Sequence, residues 1–222
     1  MYENKGQELM MKKLNIVDLG MMTYSDAIEV MERVRDDVEK IEDDTLLLVE
    51  HPTVITIGRD GDDSSIVDKA YIDKHNIPVV HADRGGKAVV HNKGQLVVYP
   101  VIKVTDNPID ILFKMMDVME STLIAFGLKI TRHDEPGAWI DDQKIAFFGM
   151  SVEHGVLVHG AALNIFNDLN PFNAIKTCGR DNERVTNLVL KTKNMIDIES
   201  VKMTLVSRFS RQLGYLPDRF IG

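Results

Sequence analysis

The stretch from Arg84 to Tyr99 constrains this chain most. It sets adjacent glycines (Gly85, Gly86) before an apolar run, Ala88 to Val90, that ends at His91; a third glycine, Gly94, precedes the strand-like run Leu96 to Tyr99. Paired glycines admit positive φ, so main-chain groups can come close to a ligand. A loop held between strands of a rigid sheet is a place where function sits. From Arg84 to Lys103 the basic residues are Arg84, Lys87, Lys93 and Lys103, with no acidic one, a local inversion of sign in a chain of formal net charge −8. Taken alone, the stretch fits either a substrate loop or a β-hairpin with a solvated basic edge.

Other segments fall around it. Strands are expected at Leu14–Leu19, Thr45–Val49, Thr53–Ile57, Pro78–His81 and Tyr99–Val104, with a hairpin from Ala138–Ile140 to Ile145–Val152 and a strand at Val156–Phe166. A helix capped by Thr23 or Ser25 runs to about Lys40, with Ala27, Val30, Met31, Val34 and Val38 at helical spacing. A polar loop over Asp60–Ser65 leads into a short helical piece around Ile66–His75. Asn107-Pro108 starts a helix whose apolar face reads Ile109, Leu112, Met115, Met116, Met119, Leu123 and Phe126, stopped by Gly127. Asp168–Arg184 reads as mostly loop, and a last helix covers roughly Ile198–Leu213 before Gly214. Clustered strands with few helices between them predict an α+β fold with a mixed, largely antiparallel sheet flanked by helices. The division expected is an N-terminal extension over 1–13 and one domain over 14–222.

Composition narrows the classes. Apolar and charged fractions of 44% and 27% are those of a globular chain, and no apolar run reaches membrane-spanning length. Net acidity argues against nucleic acid as a partner. Met1–Lys13 is polar and lacks a secretory apolar segment, and the single cysteine, Cys178, precludes an internal disulfide. A cytoplasmic setting is expected. Phosphate-loop and dinucleotide fingerprints are absent, and the scattered histidines with one cysteine offer no metal motif. No cofactor and no metal are expected.

Cys178 stands in Lys176-Thr177-Cys178-Gly179-Arg180, where a glycine allows a turn beside the sulfur and flanking cations favour thiolate. Lys144 lies in the predicted hairpin. A lysine beside a cysteine can take the thiol proton, let the thiolate attack an acyl group, and return the proton. Each residue alone reads equally as a surface charge and a buried filler.

The order of motifs resembles the lipoyl(octanoyl) transferases of lipoate biosynthesis, within the lipoate- and biotin-protein ligase fold. His51-Pro52-x-Val54-x-Thr56-x-Gly58-Arg59 is similar to the early signature of that family. Arg84-Gly85-Gly86 through His91, then Gly94-Gln95-Leu96-Val97-x-Tyr99-Pro100, resembles its central loop; Lys144-Ile145-Ala146 through Gly149, His159-Gly160-x-Ala162-Leu163-Asn164 and Cys178-Gly179 complete the series. The resemblance spans about Leu14 to Leu213. It implies that Cys178 carries the acyl group as a thioester with Lys144 beside it. It implies an acyl site lined by Arg84, Gly85, Gly86, Lys87, Ala88, Val89, Val90 and His91, with Phe147, Phe148, Gly149, Gly160, Ala161 and Ala162, supported by Gly94, Gln95, His159, Asn164 and Gly179. Backbone N–H groups beside Cys178 or in the glycine loop are candidates for the oxyanion. Val89-Val90, Asn92-Lys93 and Thr177 depart from the family pattern and border the acyl site.

The resemblance further implies octanoyl-acyl carrier protein as donor, and as acceptors the lipoyl domains of 2-oxoacid dehydrogenase complexes and the glycine cleavage H protein. A narrow pocket, apolar at depth, is expected, with Lys87, Lys93, Lys176, Arg180 and Arg184 as a basic docking rim. Two alternatives remain: an ATP-dependent lipoate-protein ligase of the same fold, and a non-catalytic module that binds acyl carrier or lipoyl domains.

Overall fold

The computed structural model describes residues 12–41, 43–105, 107–131, 135–179 and 183–222. Of the extension expected over 1–13, Met1–Met11 lies outside the described residues, as does Arg180, whereas Lys12 and Lys13 belong to the first strand. In chain order the elements are β1 (Lys12–Met21), α1 (Tyr24–Ile41), β2 (Thr45–Glu50), β3 (Val54–Ile57), α2 (Lys69–Lys74), β4 (Val79–His81), β5 (Ala88–His91), β6 (Gln95–Lys103), α3 (Pro108–Ala125), β7 (Ala138–Ile140), β8 (Gln143–Glu153), β9 (Val156–Asn164), α4 (Leu188–Thr192), α5 (Ile198–Leu213) and β10 (Tyr215–Ile221). The fold is α+β.

Seven strands form one sheet in the order β10-β1-β2-β6-β9-β8-β7, and three form a second, β4-β3-β5. β1 pairs parallel with both β10 and β2, and β3 pairs parallel with β4; the other pairs are antiparallel. The dense run in β2 is explained by burial on both faces. Leu46 and Leu48 pack with α3 and α5 residues such as Met115, Met119, Leu205 and Phe209. Leu47 and Val49 pack beneath α1 with Ala27, Met31 and Val38. Each such side chain, wholly removed from water, contributes about 1.5–3 kcal/mol. A third core, with Ile55, Ile57, Val90, Phe172 and Ile175, holds the small sheet.

The helix signals act as capping chemistry predicts. Asn107 Oδ1 accepts from the Ile109 N–H at 3.1 Å with Pro108 at the first helical position, and α5 runs from an Asp197 cap to Gly214 at φ 79°.

Two readings are corrected. The stretch from β5 to β6 is not a hairpin: β5 belongs to the small sheet and β6 to the large one, so Asn92–Gly94 hands the chain between sheets. Gly94 sits at φ 88°, with the Phe166 ring where a Cβ would stand. On α3 the buried face is Ile111, Met115, Val118, Met119 and Leu123; Ile109 is exposed, because the first turn faces an open cleft. The Asp168–Arg184 loop contains 3-10 turns at Asn170–Ala174 and Thr177–Gly179. Strand β10 and helix α4 were not expected.

Candidate active site

Lys144 lies near the start of β8, opposite Trp139 of β7 in the tight two-strand register. Its backbone is gripped from the far side as well: its N–H donates to Arg184 O at 2.8 Å, and its carbonyl accepts from the Thr186 N–H at 2.9 Å. The side chain is buried at 1% exposure, and Nζ stands 4.7 Å from the Trp139 ring centre and 5.5 Å from that of Phe147. Ring faces carry negative potential toward a cation placed over them.

Cys178 approaches from the other sheet. Its turn is tied to the loop after β3, where the Lys176 N–H donates to Ser65 O at 2.7 Å and Ile175 bridges Ile66. Its backbone takes the left-handed conformation, φ 53° and ψ 22°, sparsely used by side-chain-bearing residues and common at functional sites. The half-buried thiol is thereby aimed at the lysine. Lys144 Nζ and Cys178 Sγ meet at 3.2 Å. That contact allows proton exchange between amine and thiol without an intervening water.

The glycine loop closes over this pair. A Cβ on Gly149 would stand 2.8 Å from Gly85 O and 3.2 Å from the Arg84 guanidinium, so β8 and the loop touch backbone to backbone. Arg84 is buried and serves the loop itself: Nη2 donates to Thr56 O and Lys87 O at 2.7 Å, and Nη1 to Gly85 O at 2.9 Å. Three of the N–H groups eligible for an oxyanion are engaged within the fold: Gly85 with Met150 O, Gly86 with Asp60 Oδ2, Gly179 with Lys176 O.

A cleft of about 670 Å³ opens over the pair, lined by Gly85, Gly86, Lys87, Leu112, Phe148 and Met150 among others. Adjoining it is a small inner cavity of about 30 Å³. Val89, His91, Phe147, Phe148, Gly149, Gly160, Ala161 and Ala162, all named for the acyl site, line the inner cavity. Ala88 and Val90 do not: strand alternation turns them into the small-sheet core. Nor is the depth apolar, since Tyr24, Arg84, His91, Tyr99 and His159 also wall it.

Those polar side chains are joined in a buried chain. Arg84 Nε donates to Thr56 Oγ1, which contacts His91 Nε2 at 3.1 Å; His91 Nδ1 lies 2.8 Å from Gln95 Oε1. Gln95 Nε2 donates to Asn164 Oδ1, and Asn164 Nδ2 to Thr186 O, next to the backbone that holds Lys144. With Arg84 donating to Thr56, the threonine hydroxyl donates to Nε2 and His91 carries its proton on Nδ1. Burial first, then the nearby His51 and Arg84, pushes the His91 pKa well below its ordinary value, so the ring is neutral.

The sequence matches the lipoyl protein ligase A/B catalytic domain over residues 23–210. An octanoyltransferase of Nitratidesulfovibrio vulgaris (strain DP4) is 35% identical over 199 residues, covering 87% of this chain and 91% of that protein. Another, of Alkaliphilus metalliredigens (strain QYMF), is 33% identical over 214 residues, covering 91% and 96%. The chain belongs to the lipoyl protein ligase A/B family. As relatives carrying a transferase name cover nearly its whole length, it is an enzyme of their kind. The fold agrees. A bipartite lipoate protein ligase of Thermoplasma acidophilum, described with its E2 lipoyl domain, superposes with TM-score 0.78 at 21% identity, covering 95% of this chain and 88% of that one. A lipoate-protein ligase A described as bound with ATP gives TM-score 0.78 at 20% identity, covering 96% and 90%.

Within this lipoyl ligase family member, sequence reasoning missed Trp139 and Tyr24, and named Thr56 only as part of a motif. Trp139, the chain's lone tryptophan on the strand paired with Lys144, carried a signal that could have been read. Tyr24 looked like an ordinary first-turn residue of α1. Among the described residues no cluster of histidine, cysteine, aspartate or glutamate could hold a metal ion, and no helix is long and apolar enough to cross a membrane.

Proposed function

We propose that this chain transfers an octanoyl group from a carrier-protein thioester to a lysine of a lipoyl domain, through a thioester on Cys178 and without a nucleotide. The carrying observation is the 3.2 Å contact between Lys144 Nζ and Cys178 Sγ at the floor of an open cleft. The octanoyltransferase relatives supply the substrate class, and the E2 lipoyl domain described with the Thermoplasma protein supports the acceptor. The single cysteine suits a reducing compartment such as the cytoplasm.

The chemistry divides into two exchanges. The thiol gives its proton to the Lys144 amine, and the thiolate attacks the donor carbonyl. As the tetrahedral adduct collapses, the donor's C–S bond breaks and its thiolate takes the proton back from the ammonium. The acceptor's neutral amine then attacks the Cys178 thioester; Lys144 takes the amine proton and returns it to the departing Cys178 sulfur, leaving an amide. A thioester exchanged for a thioester is nearly balanced, and amide formation drives the second half.

An ATP-dependent ligase shares the fold, but activation by adenylation gives no role to a thiol in contact with the lysine. The test is intact mass after incubation with octanoyl-acyl carrier protein and no ATP, with and without prior thiol blocking. One octanoyl adduct, lost on blocking and discharged by a lipoyl domain, is expected. Transfer that requires ATP, or proceeds with the thiol blocked, would replace this reading.

A further inference from the structure

A second cleft, of about 480 Å³, opens behind the inner cavity, against the N-terminal half of α1. Its rim carries Glu29, Glu32, Asp83 and Glu153. Tyr24 and His159 wall both this cleft and the inner cavity. The inner cavity in turn shares Arg84, Val89, Phe148 and Gly149 with the Cys178 cleft. The inner cavity therefore adjoins both clefts, and Tyr24 and His159 stand between it and the acidic one.

The partition is built in an unusual way. Tyr24 is 7% exposed and His159 3%, yet neither the Tyr24 hydroxyl nor His159 Nδ1 has a hydrogen-bond partner among the described residues. Buried polar atoms are normally satisfied, and those that are not call for water or a functional reason. His159 also sits inside β9 at φ 58°, in the left-handed region, with its N–H on the Met31 sulfur at 3.1 Å. Tyr24 is braced by stacking on His91, ring centres 6.1 Å apart, and by its edge on His51 at 5.6 Å.

We infer that Tyr24 and His159 are the length stop of the acyl passage, a polar partition wetted from the acidic cleft behind it. The inference rests on the acyl-transfer reading. An apolar chain threading from Cys178 is favoured while it displaces contacts with Val89, Val97, Phe147 and the alanines of β9. At the partition that gain ends. A further methylene has to strip water from the hydroxyl and from Nδ1, and beyond them it meets a cleft rimmed by carboxylates rather than an apolar pocket. The ligand class selected is therefore a straight, unsubstituted acyl thioester short enough to end before Tyr24.

Two measurements test this. In the native protein, an octanoyl thioester probe carrying a terminal diazirine is loaded on Cys178 and irradiated, and the labelled peptide is sequenced. Label on Tyr24, His159 or their immediate neighbours is expected; label confined to the cleft face of α3 overturns the stop. Next, Tyr24→Ala and His159→Gly, the second suited to the positive φ, are offered acyl thioesters of increasing length, with loading read by intact mass and folding by thermal melting. Native protein is expected to lose loading beyond its cut-off, whereas a variant regains longer chains by about fourfold per added carbon, the worth of one buried methylene. A folded variant that loads octanoyl with the native cut-off overturns the stop while leaving octanoyl transfer standing. No loading of native Cys178 by any chain length would sink the function and the stop together.

Discussion

At the scale of single residues, the site is a lysine and a cysteine brought within 3.2 Å by elements that share no local sequence. Cys178→Ser is expected to abolish the acyl-enzyme, because a serine hydroxyl is far less ionised than a thiol at neutral pH; intact mass after donor incubation decides it. Lys144→Arg keeps a cation near the sulfur but cannot accept a proton, so transfer should fall by about a hundredfold or more while donor binding survives, as rate and binding assays would show. Acid should also destabilise the fold. Burial above all lowers the His159 pKa from 6.5 to about 4, with Arg84 and Arg59 in the same direction and Glu153 and Asp83 against. Between those values the unfolded chain binds a proton the folded one refuses, so stability falls by roughly 3 kcal/mol as pH drops from 6.5 to 4. His51 and His91, also lowered by burial, add in the same sense. Denaturant midpoints across that pH range check it, and a flat profile would contradict it. Lys144 and Cys178 were legible as chemistry because their types react only in company. Tyr24 was not, since an aromatic at a helix start is written the same way whether it fills a core or walls a site.

At the scale of elements, what matters is how closely β8 approaches the glycine loop. Gly149→Ala would place a methyl 2.8 Å from Gly85 O, and backbone has to move to relieve it. A cost of about 1–3 kcal/mol in stability is expected, with a larger loss of acyl-enzyme formation than stability alone explains, because the loop shifts away from Cys178. Unchanged loading in a stable variant would show that the contact is incidental. Most elements were readable from local signals: Asn107-Pro108 and Gly214 mark helix ends by capping chemistry, and β2 and β6 by dense apolar runs. β10 was hidden because it contains Pro217, carries charges, and exposes all but Tyr215, as edge strands do; its partner β1 lies some two hundred residues earlier. The mistaken hairpin has the same root. Gly94 announces a turn, but nothing local says that the two flanking strands join different sheets.

At the scale of the whole molecule, a net charge of −8 offers no long-range attraction to an acidic partner, so under the proposed transfer a carrier is expected to dock through the cations near the cleft. Lys87 lines the cleft and is exposed, as is Arg184, which follows the Cys178 turn. Lys87→Glu with Arg184→Glu is expected to slow transfer several-fold at low ionic strength and to flatten its salt dependence. Stopped-flow transfer rates across a salt series measure both, and an unaltered slope would make these residues ordinary surface.

The division of the walls between two sheets carries a mechanical consequence. Under the proposed transfer, an acyl chain entering the small inner cavity is seated where walls from the small sheet face walls from the large one. Seating it is expected to widen that junction around the Asn92–Gly94 link. Compression opposes any step that passes through a more voluminous arrangement. Hydrostatic pressure should accordingly retard loading of Cys178 far more than it retards discharge to an acceptor amine, which attacks at the open mouth.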